Sequence, residues 1–227
     1  DDGMLRTGSL FSSVDDLSGT GIINTRGLVS DVELVFDSES SLTPSFSLND
    51  DGQDITLSLT VDGTGSLGAG YSGSGTMRIS DGEVVPSTDG ILGFKSGSSG
   101  TATVTGADSK WNIADDLNVG YSGAGELNVA AGGEVSNTDG SIGYESGSTG
   151  TATVTGANSQ WTNLGSLYIG GGSDGMGGDG TLNVNDSGLV TVAATIKLYS
   201  TGTINLDGGN LTTRSFDNSE AGTLNFH

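Results

Sequence analysis

The chain has 227 residues and a formal net charge of −21, from 28 acidic against 7 basic side chains, and 41 of its residues are glycine against 2 prolines. So acidic a surface repels phosphate backbones and anionic bilayers, which argues against nucleic acid and membrane partners, and apolar runs such as "VELVF" are far too short to span a bilayer. Without cysteine there is neither a disulfide framework nor a thiolate metal site, and so much glycine, serine and threonine disfavours helix and favours short strands with frequent turns.

Residues 1–65 read as longer strands. "DVELVFD" and "DITLSLTVDG" alternate apolar and polar, putting Val32, Leu34 and Phe36, then Ile55, Leu57, Leu59 and Val61, on one face. They predict wider coils of a solenoid or, as the alternative, a small edge hairpin or capping sheet. Pro44 suits a strand start or an edge.

Residues 66–206 form regular repeats. "GTMRIS" at Gly75 is followed by "GTATVT" at Gly100, "GELNVA" at Gly125, "GTATVT" at Gly150, "GTLNVN" at Gly180 and "GTINLD" at Gly202. In each copy the apolar residues are two apart, as Ala102 and Val104 are, which is the period of a strand. A cluster carrying Tyr71, Phe94, Tyr121 or Tyr144 precedes four of the starts, and a third short run follows, twice with a tryptophan, Trp111 or Trp161. Three strands in about 25 residues leave no room for a crossover helix, so the expected fold is all-β, a parallel β-helix of three short strands per coil. Coils stacked about 4.8 Å apart put like residues over like. Alternate coils match best, placing Trp111 over Trp161, Phe94 over Tyr144 and Tyr71 over Tyr121. These aromatics predict ladders, inside the coil or along an outer edge, or else a sugar-binding strip.

The insertion "GGSDGMGGDG" (171–180) lengthens one coil and reads as a disordered excursion. Its alternative is a calcium site, with Asp174 and Asp179 among glycines that let carbonyls converge. Residues 207–227 read as a partial coil: "GGNLTTRSF" resembles "DGMLRTGSLF" near the start, each followed by a GT strand, at Gly222 and Gly19. Leu224 and Phe226 at one end, and Met4 and Leu5 at the other, are the candidate edges for end-to-end self-assembly. The chain opens on Asp1 with no leader in view, so any targeting segment is expected outside these residues.

Little points to catalysis. "GAGYSG" and "GGGSDG" satisfy GxGxxG, but neither opens a helix in a βαβ unit. The single histidine, His227, leaves a histidine-based triad or zinc site nothing to build on. Asp115, Asp116, Glu134 and Glu145 are the carboxylates from which a polysaccharide-processing pair would be drawn, without an evident cationic partner.

"GSSGTATVTGADSKWNIADDLNVGYSGAGELNVAAGGEVSN" and "GSTGTATVTGANSQWTNLGSLYIGGG" resemble the repeat of autotransporter passenger regions and of bacterial surface proteins with PEP-CTERM sorting signals. The resemblance covers roughly residues 66–206 and combines GTxTVTG, a following tryptophan and a later LxVG. It implies a right-handed β-helix displayed on or released from a bacterial cell, with no catalytic residues. Neither a translocator barrel nor a sorting tail accompanies it. The expected function is a non-enzymatic extracellular stalk, layer or self-assembling filament, with an adhesin or carbohydrate-binding domain as the alternative and no cofactor apart from the candidate calcium.

Overall fold

A computed structural model describes residues 3–40, 42–50 and 52–227. The first turn comprises β1 (Gly3–Thr7), β2 (Leu10–Phe11) and a 3-10 turn (Val14–Asp16); the second comprises β3 (Gly19–Thr25), β4 (Leu28–Ser30) and β5 (Glu33–Phe36). After β6 (Ser45–Leu48), the third turn is β7 (Gln53–Leu59), β8 (Leu67–Ala69) and β9 (Ser74–Ile79). Regular turns follow: β10 (Val84–Ser87), β11 (Gly90–Leu92) and β12 (Ser99–Thr105); then β13 (Lys110–Ile113), β14 (Leu117–Val119) and β15 (Ala124–Ala130). The next are β16 (Glu134–Asn137), β17 (Gly140–Ile142) and β18 (Thr149–Thr155), then β19 (Gln160–Asn163) and β20 (Leu167–Ile169). A hairpin, β21 (Gly171–Gly172) with β22 (Gly175–Met176), leads into β23 (Asp179–Asn185). In the last two turns one long strand serves two sides, β24 (Leu189–Leu198) before β25 (Gly202–Asp207) and β26 (Asn210–Asp217) before β27 (Thr223–Phe226).

The strands stack into three sides of a parallel β-helix. On the third side β5, β9, β12, β15, β18, β23, β25 and β27 pair in that order, all parallel. Gly75, Gly100, Gly125, Gly150, Gly180 and Gly202 fall in one column there, so the repeat starts read from sequence share a register. The second side runs from β2 to β20 and joins the first through β24, which pairs with both β19 and β20. At the corner entering the first side, Asp81, Asp108 and Asn158 take φ of 58°, 66° and 66°, a left-handed conformation that short polar side chains tolerate.

The N-terminal region departs from this regularity. β1, β3 and β7 form a separate sheet whose outer edge is β6, antiparallel to β7. One wide coil and one edge hairpin therefore occur together, and Pro44 lies just before the edge strand. β10 does not join this sheet. Its bonds to β13, from Lys110 N to Glu83 O and from Ala114 N to Ser87 O, turn the nitrogen of Pro86 away from β13 and toward the N-terminal side. A nitrogen without a proton cannot donate there.

The core is a thin column of inward side chains. Leu34, Met77, Ala102, Leu127, Ala152, Leu182 and Ile204 line the third side, all almost completely buried.

Candidate functional site: stacked side-chain columns

Two sets of aromatics occupy opposite environments. Trp111 and Trp161 are wholly inside, in a column that reads Val85, Trp111, Val135, Trp161, Val190, so the two tryptophans are separated by a valine. The column on the second side reads Leu67, Gly90, Leu117, Gly140, Leu167. Lean coils carrying Val, Gly and Ala thus alternate with full coils carrying Trp and two Leu. Each tryptophan leans back into the lean coil before it: Trp111 Nε1 donates to Ser87 Oγ at 3.0 Å and Trp161 Nε1 to Asn137 Oδ1 at 2.7 Å. A Cβ on Gly90 would lie 2.9 Å from Trp111 Cη2 and 2.6 Å from Leu117 Cδ1, and one on Gly140 would lie 3.2 Å from Trp161 Cζ2. The indole fills the volume that glycine vacates, which is why the sequence matches best at every second coil. Inside, Asn137 Nδ2 donates to Asn163 Oδ1 at 2.9 Å.

Tyr71, Phe94, Tyr121 and Tyr144 line an outer edge, half-buried. Successive ring centroids lie 5.6, 5.4 and 5.1 Å apart with interplanar angles of 12°, 15° and 10°. Each such contact contributes about 0.5–1.5 kcal/mol beyond area burial. The stack consumes the ring faces that a sugar would need. Lys95 Nζ sits 4.1 Å from the Tyr71 centroid, and a Cβ on Gly172 would lie 2.4 Å from Tyr144 Cε2, so both ends of the stack are covered. Below Tyr71 the corner is held by Asp31, whose Oδ1 accepts from the backbone N–H of Tyr71, Ser72 and Gly73 at 2.7, 3.1 and 3.0 Å. Partial burial pushes the Asp31 pKa up, but bonds from Gly73, Ser72, Ser13 and Tyr71 outweigh it and hold the carboxyl below its ordinary value.

The insertion at 171–180 is ordered rather than an excursion. β21 and β22 close a tight antiparallel hairpin, tied down by Tyr199, which is 5% exposed and donates through its hydroxyl to Gly172 O at 2.8 Å. Asp174 lies on the hairpin turn within 3.5 Å of the Tyr144 hydroxyl, whereas Asp179 opens β23 beside Thr149. Between hairpin and ladder lies a cleft of about 200 Å³ lined by Tyr144, Glu145, Asp174 and Met176 among others. Burial first, then the Asp174 charge, raises the pKa of Tyr144. Among the described residues no group of three or more His, Asp or Glu side chains gathers as a metal site.

The four carboxylates singled out from sequence lie at different points of the perimeter. Asp115 and Asp116 stand at the corner between β13 and β14, Glu134 on the outer face of β16, and Glu145 on the turn after Tyr144. Glu134 does have a cationic partner, Lys110 at 2.8 Å. Asp116 instead stacks with Asp89 and Asp139 of the adjoining coils, since each directly precedes a residue of the column Gly90, Leu117, Gly140. Although Asp116 is exposed to solvent overall, crowding around its carboxyl and then the charges of Asp139, Asp89 and Asp115 raise its pKa, against a backbone bond. This acidic column and an outward ladder on the third side were both missed from sequence. In the ladder Asn225 donates to Asn205 and Asn205 to Asn183, each at 2.8 Å. The recurring "TDG" before Gly90 and Gly140 and the "LNVN", "INLD", "LNF" series were the available signals.

The end candidates lie on open edges. β1 pairs only with β3 and β27 only with β25 among the described residues, and Met4, Leu5 and Phe226 are 56%, 48% and 73% exposed. Leu224 is half-buried. The likeness between the two end segments holds for β26 and β1–β2, which lie on the same sides. It fails for the GT strands: Gly19 opens β3 on the first side, while Gly222 leads into β27 on the third. The reason is the 3-10 turn at Val14–Asp16, which takes the place of a third-side strand in the first coil.

No helix among the described residues is long and apolar enough to cross a membrane. No family model, curated protein or solved structure matches the chain.

Proposed function

We propose that the chain is a non-enzymatic, extracellular structural element of a bacterial surface, a stiff β-solenoid spacer. The observation that carries this reading is the unbroken register of the third side from β5 to β27. Those eight strands make seven intervals, about 34 Å of rod at about 4.8 Å per coil. Outward and inward side chains alike are engaged with the coils above and below, through ring stacking, asparagine ladders and the tryptophan bonds. The resemblance of the repeat to surface and passenger proteins supports the location.

Duplicating residues 100–149 in place tests the spacer. A spacer accepts the extra pair of coils, keeps or raises its melting temperature, and lengthens by about 10 Å in small-angle scattering. A misfolded product, or release of reducing ends or unsaturated sugars from a polysaccharide panel by the parent chain, overturns the reading.

One observation favours a second reading, a carbohydrate-binding surface. The cleft beside the hairpin brings a tyrosine hydroxyl, Glu145 and Asp174 together with the exposed Met176. Binding on a glycan array that disappears in Asp174→Ala and Glu145→Gln at unchanged melting temperature supports it; an array without binding removes it.

A further inference from the structure

The two interior columns of the first and second sides reach both ends of the stack unfinished. At one end they terminate in Leu5, paired with Ile23, and Leu10, paired with Leu28. At the other they terminate in Leu211, paired with Val190, and Phe216, paired with Ile196. Ile23, Leu28, Val190 and Ile196 are 8%, 0%, 0% and 0% exposed, whereas Leu5 and Phe216 are 48% and 40% exposed. The spacing matches as well: Leu10 follows Leu5, and Phe216 follows Leu211, at the same interval along the chain. Among the described residues, four of the eight exposed large apolar side chains, Met4, Leu5, Phe216 and Phe226, belong to the coils at the two ends.

We propose that a second copy of this chain docks head to tail, its β1–β2 adding in parallel to β26 with Leu5 over Leu211 and Leu10 over Phe216. The interface continues the ladder that already joins β24 to β26, and the matched spacing lets both columns close at once. An unpaired strand edge is a template for such addition, and covering it removes apolar side chains from water. The third side does not take part in the pairing, because the incoming copy presents the 3-10 turn at Val14–Asp16 where β27 would need a strand. The contact is heterologous: the two surfaces differ, so it propagates as a line of copies and not as a closed dimer. The proposal deepens the spacer reading by naming what the spacer's ends meet.

Two single variants and their mixture test it. Leu5→Asp spoils the head and leaves the tail intact; Phe216→Asp does the reverse. Both positions are solvent-exposed, and unchanged melting curves at low concentration establish that the variants fold. In sedimentation velocity the parent chain forms concentration-dependent linear species, each variant alone stays monomeric, and an equimolar mixture stops at a dimer of one copy of each. A parent chain that is monomeric at every concentration overturns the docking, as does association that survives in either variant alone, which would mark a head-to-head or tail-to-tail contact. These outcomes leave the spacer reading standing, since it fails on the duplication and polysaccharide tests instead. Should Leu5→Asp melt early, Leu10→Ser and Arg6→Glu on the same edge give a second disruption of the head.

Discussion

The regular stack from β10 onward and the N-terminal coils use the same strand alternation but are held differently. In the stack, the first-side strands from β13 to β24 each pair with both neighbours, and buried volume alternates between lean and full coils. In the N-terminal coils the first side closes on its own returning strand β6, and the next sheet begins with β10, which carries Pro86. A solenoid side is therefore only as continuous as its supply of N–H groups facing the next coil. Apolar stacking alone keeps the coils together without keeping them in one sheet.

The largest effect is expected where the stack buries most. Trp111→Ala empties the lean coil over Gly90 and leaves Ser87 without its donor, costing about 3–5 kcal/mol in denaturant unfolding. Gly90→Leu alone also destabilises, by crowding the indole. Combined with Trp111→Val it recovers part of the loss, and strict additivity of the pair would refute the shared volume. Among the described residues of the N-terminal sheet there is no such pair, and Phe46→Ala, at a half-buried edge position, costs much less.

A proline scan sharpens the contrast between the two ladders. Pro86→Ala changes stability by less than about 0.5 kcal/mol, since the restored N–H faces no strand. Asn112→Pro, one coil later in the same column, removes a donor to β10 and costs about 3 kcal/mol. Hydrogen exchange would show the second variant opening β10 and β13 first.

Tyr121→Ala interrupts the outer stack on both sides and costs about 1–3 kcal/mol, whereas Tyr121→Phe is close to neutral because only the rings are engaged. Near-ultraviolet dichroism should lose the coupled aromatic signal in the alanine variant only.

The smallest effects depend on pH, with opposite signs in two places. The folded pKa of Asp116 is raised, so its contribution is complete below the ordinary carboxylate range and is lost as pH rises through the raised value. Asp116→Asn therefore stabilises the stack at neutral pH, and the gain vanishes near pH 3. Between the last two coils Lys197 bonds Asp217 at 2.9 Å and holds its pKa at about 2. That contribution is complete above the ordinary range and is lost as pH falls through about 2. Lys197→Met thus speeds amide exchange in β26 at neutral pH, and the difference from the parent chain shrinks as the pH is brought down to 2.

Strand positions and the inward set, including Ala102 and Val104, were legible because alternation within a strand is a local property of residues two apart. The interior glycines were not recognised as partners of the tryptophans. Gly90 reads as a turn glycine in "TDG", and only the backward lean of Trp111 shows that its missing side chain is the point. The hairpin at 171–176 was obscured for the same reason: glycine-rich sequence is compatible with disorder, and the bond from Tyr199 to Gly172 comes from the following coil.

Sequence alone determined that the chain is a stack of three-stranded coils and which residues start each coil, since a fixed register of repeats admits no other economical packing. The tertiary structure decided which aromatics lie inside, which coil each tryptophan fills, where the first side breaks, and that the two ends match in column spacing. Those choices depend on how many residues each corner absorbs and on contacts between coils, which no local period records.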